Sequence, residues 1–337
     1  MSRPARALGA VSGGLDSLLA VRLIQAMGIE LQLLHFVTGF EPRQLRHELA
    51  GKAGTAEPPP ELVALGAPVE VIDLRAELRS LLAAPPHGFG AQLNPCLDCK
   101  ILMLRRARER MESSGADFVF TGDVLGQRPM SQRRQAMDRI DRCSGLQDRL
   151  LRPLSGALLP TALPEREGLY RREQLLDLQG RSRRRQEALA AELGVRDYPT
   201  PAGGCLLADP AYARRLRNLL ERRSGVLRED DPLLAYLGRH VLLRGGALAV
   251  IGRQHEENLA IARFADRGHL LEARDFNGPT ALVEAPADSQ DLIAAARLTA
   301  RYGQGRERER VVVGLGGPEG RREIDVQPGE PDGIGLL

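Results

Sequence analysis

Cysteine is scarce in this 337-residue chain, tryptophan is absent, and aromatic residues make up only 4% of it. Four cysteines (Cys96, Cys99, Cys143 and Cys205) are too few to staple a chain of this length. A disulfide scaffold is therefore excluded, and the thiols are either inert or chemically employed. Long apolar runs are missing as well. No stretch approaches the roughly 18 consecutive apolar residues of a membrane helix, and the amino terminus lacks a signal peptide's apolar core and small-residue cleavage site. The expectation is a cytoplasmic protein with no membrane partner. Scarce aromatics also argue against a stacking platform for single-stranded nucleic acid; folded RNA read by shape fits better.

What is present is the balance of a folded protein, with 43% hydrophobic and 27% charged residues in a length that suits about two domains. A net charge of +3 names no partner. Its distribution says more. Between Arg128 and Arg223, 20 arginines face 12 acidic residues, and a local positive field attracts a polyanion such as RNA. Nearly all basic residues are Arg, with only Lys52 and Lys100 as lysines.

The first 40 residues alternate strand and helix. Ala7–Val11 is a short apolar run, a Ser-Gly-Gly turn follows, Asp16–Met27 has helical spacing, and Ile29–Val37 suits a second strand. Gly51–Pro60 looks like a surface loop and Pro68–Asp73 like another strand. Pro85–Pro95 looks irregular, Leu97–Ser113 helical with Gly115 as its stop, and Asp117–Thr121 like the next strand. This pattern predicts an α/β fold, a doubly wound parallel sheet whose ligands bind beyond the carboxyl ends of the strands. Arg-rich helices are expected at Ser182–Leu193 and Asp209–Arg223. After Asp230-Asp231-Pro232 come short strands (Val241–Leu243, Ala247–Ile251, Ala281–Glu284, Val311–Val313) and a helix beginning near Gln254. The expected domains are 1–228, with 180–228 as a basic helical segment, and a smaller α+β domain over 229–337.

Between the first strand and helix lies Ser12-Gly13-Gly14-Leu15-Asp16-Ser17. Two glycines let the backbone approach an anion closely, and the helix-start amides with the Ser12 and Ser17 hydroxyls can donate to phosphate oxygens. No Gly-Lys-Ser/Thr follows, so this is not a Walker-type loop. An ordinary strand-to-helix turn is the plain alternative.

The hexapeptide resembles the signature of the PP-loop ATP pyrophosphatases, of the adenine nucleotide alpha hydrolase-like fold. Thr121-Gly122-Asp123-Val124-Leu125-Gly126-Gln127 with Ser131-Gln132, then Leu151-Arg152-Pro153-Leu154, is similar to tRNA sulfurtransferases of the ThiI type. Asn94-Pro95-Cys96-Leu97-Asp98-Cys99 and Gly115-Ala116-Asp117 resemble the tRNA 2-thiouridylases. Asp123 stands where the 2-thiouridylases carry His and the ThiI type usually Glu, which favours the latter. The resemblance implies ATP with Mg2+, cleavage between the α- and β-phosphates, adenylation of a uridine oxygen, and its replacement by sulfur, with 4-thiouridine favoured over 2-thiouridine. It assigns ATP binding to Ser12, Gly13, Gly14, Asp16, Ser17, Gly122, Gln127 and Ser131, with Asp16 also toward Mg2+, and places Asp123 in the active-site loop.

Cys96-x-x-Cys99 precedes a helix whose N-terminus lowers a thiol pKa and favours thiolate. Cys205, in Pro201-Ala202-Gly203-Gly204-Cys205, resembles the second-cysteine loop of the tRNA thiolases. Cys96, Cys99 and Cys205 together suit a [4Fe–4S] cluster with one open iron. The rival reading uses Cys99 and Cys205 alone, as persulfide carrier and resolving thiol. Cys143 has no cysteine partner and is taken as structural.

Arg181, Arg183, Arg184 and Arg185 on one helix, and Arg214, Arg215, Arg217, Arg222 and Arg223 on the next, are candidate RNA contacts, although charged helix faces are usually just solvated. Gly238-Arg239-His240, Ile251-Gly252-Arg253, Glu256-Glu257-Asn258 and Gly278-Pro279 resemble the RNA-binding module of NFACT proteins. The ThiI type carries a THUMP domain to hold tRNA, whereas here the PP-loop motif starts at residue 12, so the C-terminal module is expected to supply that contact. Expected partners are tRNA, a sulfur donor (a cysteine desulfurase or free sulfide) and, as an option, a second copy in a homodimer. Two other classes stay open: a PP-loop enzyme acting on a small molecule, and a non-catalytic RNA-binding protein with a relic nucleotide site.

Overall fold

The computed structural model describes residues 3–51, 57–199, 204–317 and 320–337. Five strands, β1 (Arg6–Ala10), β2 (Glu30–Val37), β3 (Val69–Asp73), β4 (Phe118–Thr121) and β5 (Leu150–Leu151), form a sheet in the order β3-β2-β1-β4-β5. Every neighbouring pair is parallel. Alternation along the strands feeds two separate cores. Ala7, Leu33, Phe118 and Phe120 face the helix Leu15–Ala26 on one side, while Leu8, Leu34 and Val119 face Leu104 and Ile140 on the other. Helices therefore cover both faces, as a parallel sheet requires.

Chain direction reverses around β1: the chain runs outward through β2 and β3, then returns to place β4 on the other side. Ala10 pairs with Thr121, so the segments leaving β1 and β4 emerge side by side at this switch point, where open α/β sheets bind ligands.

The chain divides into two compact units, Met1–Glu41 with Thr55–Ala208, and Pro42–Gly54 with Asp209–Leu337. The sequence reading divides it near residue 229; the structure instead builds the helix Pro210–Arg222 into the second unit. Tyr212, 1% exposed, donates its hydroxyl to the Pro232 carbonyl at 3.0 Å, and Asp209 caps the helix by accepting from the Tyr212 amide at 2.8 Å.

The second unit holds seven strands, β6 (Arg239–Leu242), β7 (Leu248–Ile251), β8 (Gly268–Ala273), β9 (Ala281–Glu284), β10 (Val311–Gly317), β11 (Gly320–Val326) and β12 (Gly335–Leu336), in the order β11-β10-β8-β9-β7-β6-β12. All pairings are antiparallel, and the helix Ser289–Arg301 packs Leu292, Ala295 and Ala296 onto the sheet. This is an α+β arrangement. The Gly/Pro-rich tail without an evident role in the sequence supplies β11 and the edge strand β12.

Four buried or half-buried charged residues meet in this unit, with the exposed Asp230 at their edge. Arg223 pairs with Asp231 at 2.7 Å and with Glu284 at 2.6 Å, and Arg267 pairs with Asp231 at 2.7 Å and with Asp230. Asp231 is 0% exposed and touches both guanidinium groups, so its removal takes a carboxylate partner from two arginines at once. Asp231→Ala is expected to cost about 3–5 kcal/mol, read as a lowered denaturant midpoint of the full chain; an unchanged midpoint contradicts this account of the network.

Candidate functional site

Four segments converge at the carboxyl end of the parallel sheet. The first is the Ser12–Ser17 loop. Gly13 has φ of +81°, a left-handed conformation that favours glycine, and a Cβ there would also meet Glu61 Oε1 at 2.8 Å. Gly14 occupies the N-cap position of the Leu15–Ala26 helix with no side chain capping it, which leaves helix-start amides turned to an anion. Ser12 Oγ accepts from the Gly14 amide at 3.4 Å. Ser17 Oγ donates to the Gly14 carbonyl at 2.7 Å, closing the turn rather than pointing a free proton outward.

The second segment follows β4. A Cβ on Gly122 would lie 2.6 Å from the carbonyl of Asp16 and the amide of Ser17, so this loop presses backbone to backbone on the first helical turn. Gln127 donates Nε2–H to Asp16 Oδ2 at 2.7 Å and accepts at Oε1 from Gln186 at 3.1 Å. Asp16 Oδ1 is buried with no hydrogen-bond partner among the described residues. A carboxylate held on one oxygen and unmet on the other, beside an uncapped helix start, fits Mg2+ carried in with phosphate oxygens, because Mg2+ commonly takes one protein carboxylate and completes its shell with phosphate and water. Ser131 is buried in the same loop.

Asp123 is 7% exposed. It accepts from Lys100 Nζ at 3.1 Å, Gln132 Nε2 at 2.9 Å and Thr121 Oγ1 at 2.9 Å, with Arg152 Nε 3.9 Å away. Burial alone pushes its carboxyl upward, but Lys100, Arg152 and the Gln132 bond outweigh it and hold the group well below the ordinary carboxylate range. Arg152 is itself tied to Asp141 through two hydrogen bonds of 2.9 and 2.5 Å.

The third segment begins the Cys96–Ser114 helix, which Pro95 precedes and Gly115, at φ of +67°, terminates. Asp98 inside Cys-Leu-Asp-Cys holds the His87 ring at 2.6 Å and the His87 amide at 3.0 Å. Asn94 Nδ2 donates to Cys96 Sγ at 3.3 Å. Lys100, one residue past Cys99, fastens this helix to the β4 loop through Asp123, so the thiols and the phosphate loop share one end of the sheet.

The fourth segment carries Cys205; Pro201–Gly203 of its motif lie outside the described residues. Leu206 donates to the Phe40 carbonyl at 2.9 Å and Leu93 to the Leu207 carbonyl at 3.1 Å, which ties this turn to the exit of β2 and to the Cys96 turn. Glu41, Cys96 and Cys99 all act electrostatically on Cys205. The sequence expectation of a favoured thiolate is corrected here. Desolvation, reinforced by Glu41, pushes Cys99 up to about 12, and desolvation also raises Cys205. Loss of water outweighs the helix N-terminus and the Lys100 charge. Cys205 is solvent-exposed as a residue, so its upward push is the more readily screened of the two.

Among the described residues no group of three Cys, His, Asp or Glu side chains is placed to hold a metal ion. The expected [4Fe–4S] ligand set of Cys96, Cys99 and Cys205 thus finds no support among the described residues. Cys143 lies on the helix Arg134–Ser144, against Leu104 and Ile140, with its carbonyl accepting from Arg105 at 2.9 Å. No helix among the described residues is long and apolar enough to cross a membrane.

Of the arginines singled out, Arg181, Arg184, Arg185, Arg214 and Arg217 are exposed, and Arg185 pairs with Asp177 at 2.6 Å. In the second unit the recognised motif residues hold one another. Asn258 Oδ1 accepts from Thr280 at 3.1 Å, Glu257 pairs with Arg253 at 2.5 Å, and Arg215 donates to the Gly238 carbonyl at 3.2 Å. Burial pulls the His240 ring down to about 3, so it is neutral and structural. Lys100, Gln186, Glu61 and the His87–Asp98 pair carry no sequence signal of their own, because they reach the site through tertiary contacts.

Known proteins share two parts of this chain. Residues 238–335 match the family described as NFACT protein RNA binding domain. A segment of 116 residues is 31% identical to a tRNA-specific 2-thiouridylase MnmA of Desulfosudis oleivorans (strain DSM 6200 / JCM 39069 / Hxd3), covering 33% of this chain and 30% of that protein. The match thus spans less than a third of the relative's length. Among solved structures, an NMN synthetase from Francisella tularensis is 14% identical over 68% of this chain and 81% of its own, at a TM-score of 0.36. A 4-thiouridine synthetase in complex with RNA and ATP is 19% identical over 69% of this chain and 52% of its own, also at 0.36. Likeness at that level adds nothing to what the strand order already shows. In class, the first unit is an α/β parallel-sheet unit with a glycine turn at its switch point. In particular, part of the chain is similar in sequence to a tRNA 2-thiouridylase, and residues 238–335, within the second unit, to an RNA-binding domain.

Two outcomes follow. Gln186→Leu removes the bond that orients Gln127; it is expected to weaken ATP binding while leaving the fold intact, checked by calorimetric titration with Mg-ATP, and unchanged affinity contradicts the relay. Because thiolate is the reactive form and Cys99 titrates near 12, its alkylation rate is expected to climb about tenfold per pH unit across neutral and mildly alkaline pH. Mass spectrometry of iodoacetamide labelling reads this, and a plateau below pH 9 contradicts it.

Proposed function

We propose that this chain is an ATP-dependent tRNA sulfurtransferase that adenylates a uridine carbonyl oxygen and replaces it with sulfur, with 4-thiouridine the favoured product. The observation that carries the reading is Asp16: a half-buried carboxylate with one oxygen held by Gln127 and the other buried without a partner among the described residues, at the uncapped start of a helix on a glycine turn. That arrangement suits the pyrophosphate end of ATP, cradled by Ser12, Gly13, Gly14 and the helix-start amides. Mg2+ held through Asp16 supplies charge neutralisation for the departing pyrophosphate.

The uridine oxygen attacks the α-phosphorus, a new oxygen–phosphorus bond forms, and pyrophosphate leaves. Asp123, ion-paired and low in pKa, organises the loop instead of passing protons. Sulfur reaches the site from a donor protein as a persulfide on Cys205, the cysteine whose residue is exposed. The terminal sulfur bonds to the activated carbon and AMP departs with the uridine oxygen. Cys99 then attacks the Cys205 sulfur, releases the thiolated base, and leaves a Cys99–Cys205 disulfide that an external dithiol reduces. No step runs through an iron–sulfur cluster. The local arginine excess and the match of residues 238–335 to an RNA-binding family support tRNA as the substrate.

Asp16→Ala is expected to lower tRNA-dependent AMP formation by at least about two orders of magnitude, the scale of several kcal/mol that a positioned cation supplies, with tRNA affinity unchanged. Cys205→Ser is expected to keep AMP release while losing thiouridine. Asp16→Ala turning over within a few-fold of the parent protein overturns the proposal.

A further inference from the structure

The second unit contains a cavity of about 590 Å³ whose lining includes Arg222, Arg223, Arg228, Arg267 and a single carboxylate, Glu284. Two of these arginines are explained by the fold. Arg223 and Arg267 rest on Asp231 and Glu284, with Asp230 on the far guanidinium nitrogen of Arg267, and the Arg267 guanidinium lies 4.9 Å over the Phe264 ring. Asp230 and Asp231 do not line the cavity. Asp231 holds both guanidinium groups and Asp230 that of Arg267, so these two arginines are fixed in place, and the positive excess of the cavity comes from Arg222 and Arg228.

The other two arginines are not explained that way. Arg222 spends one nitrogen on the Gly246 carbonyl at 2.7 Å and has no carboxylate partner among the described residues. Arg228 is exposed; its backbone amide donates to Asp231, but its guanidinium has no acceptor among the described residues. Four forked donors line one cavity, two of them fixed by carboxylates, and together they offer a receptor for phosphate oxygens. No aromatic side chain lines it, so it offers no surface on which a base can stack. That favours the sugar–phosphate backbone over a free nucleotide.

We infer that this arginine cavity is a backbone-phosphate site for structured RNA, which positions the RNA without reading its sequence. The inference rests on the tRNA reading above. It assigns a place to Arg222 and Arg223 among the basic residues of the Pro210–Arg222 region, and adds Arg228 and Arg267, which stood outside that group.

The test uses the full chain and leaves Arg223 and Arg267 untouched because they carry the buried ion pairs. Arg222→Gln with Arg228→Gln is compared with the parent protein in tRNA binding across a potassium chloride series, with thermal melts verifying that both fold. Each phosphate contact contributes about 0.7–0.9 to the slope of log affinity against log salt, so the double variant is expected to bind more weakly with a slope shallower by about 1.4–1.8. Parent-like affinity and slope in the double variant overturn the site and leave the tRNA reading standing. A parent protein with no salt-dependent tRNA binding removes both. A parallel arm titrates inorganic phosphate at constant ionic strength. Phosphate binding lost in the double variant, with tRNA binding unaltered, identifies a free-anion site and overturns the RNA assignment.

Discussion

The contact between Gly122 and the first turn of the Leu15–Ala26 helix is the constraint on which the site depends. With β1 and β4 adjacent and parallel, the two segments leaving them compete for the same space, and only a residue without a side chain lets them touch at backbone distance. Once they touch, Gln127 on the β4 loop can reach Asp16 on the helix, and Gln186 can fix Gln127 from behind. The phosphate loop is thus braced from a second element rather than standing as an isolated turn. Pre-organisation of this kind is what phosphoryl chemistry asks of a protein, since most of the catalysis lies in positioning and charge.

A second layer of order comes from buried charge. Asp123 loses water on burial and regains more from Lys100 and Arg152 than it loses, so it stays ionised and anchors two elements at once. The nearby thiols lack such compensation. Lys100 helps Cys99, but desolvation and Glu41 prevail, and the thiol stays in the protonated form. One end of one sheet therefore holds an ionised carboxylate network and, beside it, neutral thiols; under the proposed function the first serves the nucleotide and the second the sulfur. Opposite treatments of similar groups follow from a single difference, the presence or absence of a cation at hydrogen-bond distance.

Much of this was legible in the residues. The strands Ile29–Val37 and Asp117–Thr121 and the helix stop at Gly115 are found within a residue, because apolar runs and glycine punctuation report local physics directly. Elements with mixed composition escaped. The helix Arg134–Ser144 reads as a charged stretch, since its apolar positions Met137 and Ile140 are outnumbered, and the two-residue strand β5 has no periodicity to detect. The same reason hid Gln186 and Lys100, whose importance lies in partners 59 and 23 residues away. Tyr212 and Arg223 join the second unit by contacts that no composition shift announces. The expected thiolate failed for a related reason: a helix start is visible in sequence, while the desolvation that overrides it is not.

The central claim is that a uridine oxygen attacks the nucleotide held on this loop, and the fate of that oxygen tests it most directly. A tRNA transcript carrying oxygen-18 at the uridine carbonyl, incubated with the full chain, Mg-ATP and a sulfur source, should yield AMP bearing the label together with thiolated RNA. Thiolated RNA accompanied by unlabelled AMP would contradict the account, because the nucleotide would then have been cleaved by something other than the base it is held here to activate.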